Sequence, residues 1–442
     1  MFTIKPLQSI HATIDIPADK SISHRALMIS ALAKGKTVIK NYLESNDTLA
    51  TLDCMKKMGL KAVFDKKNKT LIVEGKGSYF PRKSKTTLNA GESGTTMRIL
   101  SGILCGQKFS IKFDAKPALK KRPMRRIVDP LCKLGANITG IEKQEKIYPP
   151  LNIKPVKKLK GGEFRLNVAS AQVKSALLLA GLYTKEKVSV LEPMQSRDHT
   201  ERMLKLFGAN IQTKDRLSII EPGSKLVSPK NIFVPADISS AAFFIVLGLI
   251  AKNSHIVLKN ININHTRTGL LKVLERMGAK ITIMNRTNDY EPYADLIIET
   301  SALKGTIVNE DEIPLMVDEV PILCVAAAFA STKTVIFGVK ELKVKETDRI
   351  ESMVKNLKAA GVNIWAGETK NKYGQDDYVI MIDPTNDYKA ANFKSMNDHR
   401  TAMSMIVFAL GLGKECKIDD IKCIDKSFPE FIPTLKKLYA PC

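Results

Sequence analysis

The 442-residue sequence sets 69 lysines and arginines against 45 aspartates and glutamates, a formal net charge of +24, with 44% hydrophobic and 26% charged residues. That length allows two or three domains with real cores, and the basic excess suits nucleic acid, an anionic lipid surface or small anionic substrates. A membrane span is excluded by the lack of any run near the roughly 18 apolar residues it needs, a single-strand nucleic-acid platform by the lack of aromatics interleaved with basic residues, and a zinc site by seven cysteines (54, 105, 132, 324, 416, 423 and 442) with no Cys-x-x-Cys pair, which read as reduced thiols of a cytoplasmic protein.

Met1-Phe-Thr-Ile-Lys leads directly into a strand-like segment, so no signal or transit peptide is expected. "PADKSISHRALMISALA" then places Asp19, Ser21 and Ser23 as caps ahead of an apolar run, the signature of a helix start. "MKKMGLKA" closes a further helix at Gly59, where a left-handed glycine turns the chain into a strand. Starts and endings of these two kinds then alternate. "NAGESGTTMRILSGIL" begins a helix beside Gly91 and Gly94, and "LCKLGANI" ends one at Gly135. "NVASAQVKSALLLAGL" begins one at Ser170, and "LKLFGANI" ends one at Gly208. "VPADISSAAFFIVLGLI" begins at Asp237, and "LERMGAKI" ends at Gly278. After the strand-like "TKTVIFGV" comes "KETDRIESMVKNL", which runs to "LKAAGVNI" and Gly361. "MNDHRTAMSMIVFALGL" starts at Asp398, and "LKKLYAPC" carries Tyr439 in the glycine slot. The endings lie 76, 73, 70, 83 and 78 residues apart, so six helix-to-strand units of about 74 residues fill the chain.

The helix starts share a second property. Caps of Ser, Thr and Asp are expected there, but cations are not, because the helix dipole disfavours them. Yet Lys20, Arg25, Arg98, Lys174, Lys345, Arg349 and Arg400 all lie at or near such starts. Cations gain there when an anion sits between them and the exposed backbone N–H groups. The pattern therefore predicts helix N-termini directed at a polyanionic ligand.

"DKSISHR", "SGTTMR", "KKRPM", "SAQVK", "SRDHTE", "DISSAAFF", "VDEVPIL", "VKETDR", "NDHRTAM" and "DKSFPE" occur in the order found in 5-enolpyruvylshikimate-3-phosphate synthases. From about residue 15 to 435 the chain resembles that family. The resemblance implies a two-lobed inside-out α/β barrel built from six βαβαββ-type repeats, with lobe one at 1–18 and 236–442 and lobe two, inserted, at 19–235. It also implies transfer of the carboxyvinyl group of phosphoenolpyruvate to the 5-hydroxyl of shikimate 3-phosphate, with release of phosphate and no metal or organic cofactor.

Carried over by motif, Lys20, Ser21, Arg25, Ser170, Ala171, Gln172, Arg197, Asp318 and Lys345 resemble the shikimate 3-phosphate site. Lys20, Gly94, Arg122, Gln172, Arg349, Arg400 and Lys426 resemble the phosphoenolpyruvate site. Asp318 resembles the base facing the 5-hydroxyl with Lys345 as its ion partner, Glu346 the acid that protonates the enol carbon, and Lys20 a third catalytic group. "SAQVK", "RDHTE" and "NHTR" resemble the marks of the family's second, glyphosate-tolerant branch, whereas Ala18 stands where that branch has glycine. The expected partners are small anionic substrates, with neither nucleic acid nor membrane, and a monomer is expected. Two alternatives stay open. A basic polyanion-binding protein would bind nucleic acid salt-sensitively without turnover. An enolpyruvyl transferase acting on UDP-N-acetylglucosamine would share the six-unit fold but is not expected to carry "DKSISHR" or "NDHR".

Overall fold

The computed structural model describes residues 1–7, 9–81, 85–372, 374–385 and 387–439. The chain divides into two compact units, Ala18–Val234 and Met1–Pro17 with Pro235–Cys442, so one unit is inserted in the sequence of the other.

Within Ala18–Val234 one plan is repeated: a strand, a buried helix, a strand, a second helix and an antiparallel hairpin. The buried helices are α1 (Lys20–Leu32), α2 (Gly94–Leu104) and α3 (Ala171–Gly181), and the second helices are Asn46–Lys57, Arg125–Lys133 and His199–Leu206. Every residue of α1 from Ile22 to Leu32 is buried, as suits a helix with no polar face. α2 and α3 pack backbone to backbone, since a Cβ on Gly102 would lie 2.1 Å from the Ala176 carbonyl oxygen. In the middle repeat Thr86–Asn89 pairs in parallel with Ile111–Asp114, which pairs antiparallel with Lys146–Lys154. The first repeat takes its parallel strand, Asn231–Phe233, from the far end of the unit, against Lys34–Lys40.

The other unit repeats the plan with α4 (Ile238–Ile250), α5 (Val320–Ala328) and α6 (His399–Leu412), followed by Gly269–Arg276, Arg349–Ala359 and Phe431–Lys437. All nine residues of α5 are buried. Ile10–Ile14 supplies the parallel partner of Ser254–Asn262. The last repeat departs from the pattern. Its sheet has three strands, and Phe2–Ile4 pairs antiparallel with Cys416–Ile418 where the other repeats have a hairpin.

The recurring glycines explain the spacing. Gly59, Gly135, Gly208, Gly278 and Gly361 each follow a second helix with φ of 103°, 90°, 82°, 89° and 88°, the left-handed region that ends a helix without a Cβ clash. Among the described residues no helix is long and apolar enough to cross a membrane. Cys54, Cys105, Cys324, Cys416 and Cys423 are buried free thiols and Cys132 is an exposed one; Cys442 lies outside the described residues.

Candidate active site

In Ala18–Val234 the first turns of the buried helices come together. Asp19 caps α1 by accepting from the Ile22 amide at 2.9 Å, which leaves Lys20 on the first turn with its ammonium 3.2 Å from Asp47 Oδ2. Arg25, one turn further, is buried. Its Nε donates to Thr200 Oγ1 at 2.6 Å, Nη2 to Ser175 Oγ at 2.8 Å and Nη1 to the Ser21 carbonyl at 3.0 Å. Two hydroxyls and a carbonyl thus fix the direction of the guanidinium. Arg98 Nη1 donates to Gln172 Oε1 at 2.9 Å, and Gln172 Nε2 donates to Thr95 Oγ1 at 3.1 Å. The half-buried Arg122 makes no side-chain hydrogen bond or ion pair among the described residues. Its Nη1 lies 3.2 Å from the point where a Cβ on Gly94 would stand, so the missing side chain at Gly94 is what lets the arginine approach.

His24 shares this region and is not a proton carrier. Burial pushes its imidazole from 6.5 down to about 3, Asp47 pulls it partly back, and Lys20 and Arg25 oppose protonation. Lys174 corrects an expectation. Its ammonium faces no open anion site but lies between Glu192 Oε2 at 2.6 Å and Glu201 Oε1 at 2.8 Å, all three buried.

In the second unit Arg349, only 2% exposed, is the centre. Its Nε meets Asp398 Oδ2 at 2.9 Å, its Nη1 meets Asp318 Oδ1 at 3.2 Å, and its Nη2 meets Glu346 Oε2 at 2.6 Å. Asp348 caps the helix that Arg349 opens, accepting from the Ile350 and Glu351 amides at 3.0 Å. Asp398 caps α6 through the Arg400 and Thr401 amides at 2.8 and 3.2 Å. One carboxylate thus ties two helix starts together. Burial pushes the Asp398 carboxyl up, Arg349 and His399 together pull it down, and the result lies below its ordinary value. Arg400 Nη1 donates to the Asp318 carbonyl at 3.0 Å, and its Nε lies 3.6 Å from Asp318 Oδ1. Lys345 faces two acids. Its ammonium pairs with Glu341 at 3.8 Å, while Asp318 Oδ1 is held by arginines. Burial lowers the Lys345 pKa, with Asp318 and Glu341 pulling it back.

Behind these groups runs a second buried layer. Arg267 Nη2 donates to Asp237 Oδ1 at 3.0 Å and Ser239 Oγ at 2.7 Å. Ser239 Oγ in turn donates to Glu319 Oε1, which lies 3.8 Å from Arg400 Nη1. The arginine of "NHTR" therefore stands in a chain of contacts that ends at a site residue.

The sequence profile of the family described as EPSP synthase (3-phosphoshikimate 1-carboxyvinyltransferase) matches residues 4–435. The chain belongs to the EPSP synthase family. A 3-phosphoshikimate 1-carboxyvinyltransferase of Petrotoga mobilis is 43% identical over 438 residues, 98% of each chain. One of Geobacter metallireducens is 41% identical over 440 residues, 99% of each. The solved EPSP synthase of Acinetobacter baumannii superposes with a TM-score of 0.86 at 38% identity, covering 99% of this chain and 97% of that one. The enolpyruvyl transferase NikO of Streptomyces tendae reaches a TM-score of 0.76 at 14% identity over 99% and 97%, a likeness of fold alone.

Within the EPSP synthase frame, the structure brings Lys20, Ser21 and Arg25 together on α1, and Ser170, Ala171 and Gln172 at the start of α3, with the half-buried Arg197 two residues ahead of His199–Leu206. Asp318, Glu346, Arg349 and Arg400 form one connected group, and Lys426 closes the short turn Lys422–Lys426. Ala18 has no positive φ, so its replacement of glycine does not strain the approach to Lys20. Sequence reasoning missed Asp47 and Glu192, and read Asp398 only as a helix start. Each is a single acid whose cation lies 18 or more residues away, and only the fold pairs them. For Asp398 the cap position before "HRTAM" was a usable signal.

Proposed function

We propose that the chain transfers the carboxyvinyl group of phosphoenolpyruvate to the 5-hydroxyl of shikimate 3-phosphate, releasing phosphate. The observation that carries the reading is Arg349, which gathers Asp318, Glu346 and Asp398 at three helix starts. A base for a hydroxyl, an acid for an enol carbon and a cation for a phosphate are the groups this addition and elimination needs.

Asp318 takes the 5-hydroxyl proton, and the oxygen attacks C2 of phosphoenolpyruvate while Glu346 delivers a proton to C3. The tetrahedral intermediate then collapses, returning a C3 proton and expelling phosphate. Arg25, Ser21, Ser170, Ala171, Gln172, Arg197, Lys20 and Lys345 are assigned to shikimate 3-phosphate, and Lys20, Gly94, Arg122, Gln172, Arg349, Arg400 and Lys426 to phosphoenolpyruvate. An anion reaching Arg349 competes with the carboxylates already there. Glu346 is the one that yields, because its side chain is 31% exposed whereas that of Asp398 is 0% exposed and pinned to a helix cap. Binding of phosphoenolpyruvate thus frees Glu346 from Arg349 for its role at carbon.

Phosphate release is the test. Turnover is expected with shikimate 3-phosphate and phosphoenolpyruvate together and not with UDP-N-acetylglucosamine as acceptor. Release with the sugar nucleotide, or duplex binding without turnover, would replace this reading by one of the alternatives.

A further inference from the structure

Lys174 sits behind the segments assigned to the shikimate phosphate, yet its own ammonium is consumed by Glu192 and Glu201. Its side chain is 3% exposed and the two glutamates are as deeply buried, so it cannot touch a substrate. Filling a core with three ionisable groups is costly, and a hydrophobic substitute is often as stable or more so. Glu201 Oε2 is in addition buried without a hydrogen bond among the described residues, a further cost.

The contacts of the trio show what it orients. Glu192 Oε1 accepts from the Ser170 amide at 3.2 Å and from Ser196 Oγ at 2.5 Å, and its Oε2 from the Ser196 amide at 3.4 Å. One carboxylate therefore sets both the residue that caps α3 and the residue before Arg197. Glu201 fastens the next helix to the same ammonium, so Lys174–Glu201 joins α3 to His199–Leu206. The neighbours of that ion pair, Ser175 and Thr200, are 2.6 Å apart and are the two hydroxyls that hold the Arg25 guanidinium.

From this geometry we infer that Lys174, with Glu192 and Glu201, is a positioning device that fixes Ser170, Arg197 and Arg25 around the phosphate of shikimate 3-phosphate. This rests on the activity proposed above. Misplacing such groups by a fraction of an ångström weakens the affected substrate selectively.

Lys174→Met removes the charge and keeps the bulk, and Glu192→Gln is a near-isosteric second variant if the first folds poorly. With the wild-type enzyme turning over, the variants raise KM for shikimate 3-phosphate about tenfold or more, leave KM for phosphoenolpyruvate within about twofold, and Lys174→Arg recovers most of the loss. Amide hydrogen exchange, which needs no turnover, speeds up at 170–173 and 196–197 while 176–181 stays protected. Unchanged constants with unchanged exchange, or both KM values rising together, would overturn the inference. An inactive wild type whose variants still loosen those two segments would count against the proposed reaction and leave the positioning role standing.

Discussion

Asp318 and Glu346 are proposed to act mainly in the transition state. Asp318→Asn and Glu346→Gln should each lower kcat by about a hundredfold or more while KM for both substrates changes little; steady-state phosphate release decides it, and a near-wild-type kcat removes that residue from the chemistry. Gly94→Ala puts a methyl 3.2 Å from Arg122 Nη1 and 2.9 Å from Arg98 Nη1. KM for phosphoenolpyruvate is expected to rise about tenfold as Arg122 is pushed aside, and an unchanged KM would show that Arg122 does not hold this substrate. His24 gives a pH signature. The unfolded imidazole titrates at 6.5 and the folded one at about 3, so between these values the unfolded chain binds more protons. Its contribution is complete above pH 6.5 and is lost as pH falls toward 3, at up to ~1.4 kcal/mol per pH unit. His24→Asn should flatten that part of the stability curve in urea titrations run from pH 7 to 4, and an unaltered slope would mean the imidazole charges without penalty. At this scale the sequence was legible where a residue's place follows from its own motif, as with Arg349 of "VKETDR" at a helix start. It was misread where the role depends on a distant partner: Lys174 and Arg349 are both cations at helix starts, and only the fold reveals that glutamates enclose the first.

The helix starts are the elements that make the site. Asp398 holds α6 by its amides and Arg349 by its other oxygen. Asp398→Asn keeps an acceptor for the cap but turns a donor or a neutral oxygen toward Arg349. It should weaken phosphoenolpyruvate binding more than it weakens folding, whereas Asp398→Ala also strips the cap at about 1 kcal/mol and leaves a buried arginine short of charge at roughly 3 kcal/mol. Thermal unfolding and KM measured on both variants separate the two losses; equal unfolding temperatures would contradict the double duty. The repeat makes a second prediction. Gly208 has φ of 82° and nothing within 4 Å of the point where a Cβ would stand, so Gly208→Ala should cost only the left-handed backbone penalty of about 1 kcal/mol. Urea unfolding of that variant measures it, and a loss several times larger would mean that the position is packed. The helix endings were legible because they must have this glycine and recur evenly. The parallel strands Asn231–Phe233 and Ile10–Ile14 were not, because each completes a sheet begun far away in sequence, and no local pattern records such a pairing.

At the scale of the whole molecule the basic excess and the repeat count point the same way. The cations of the buried helices lie toward their N-terminal ends, so charge that looks like general solvation in a composition count is, at Lys20, Arg25 and Arg400, and at Arg349 on a second helix, placed with hydroxyl or carboxylate partners. The central claim is that these groups carry out an addition and elimination across the enol double bond, with a proton delivered to carbon. Mass spectrometry of the product formed in D2O from shikimate 3-phosphate and phosphoenolpyruvate tests it most directly. The expected product is a carboxyvinyl ether of shikimate 3-phosphate with deuterium in its methylene group, because the C3 proton comes from a solvent-exchanged Glu346. Product carrying only protium, or no product from the folded enzyme with both substrates present, would contradict it.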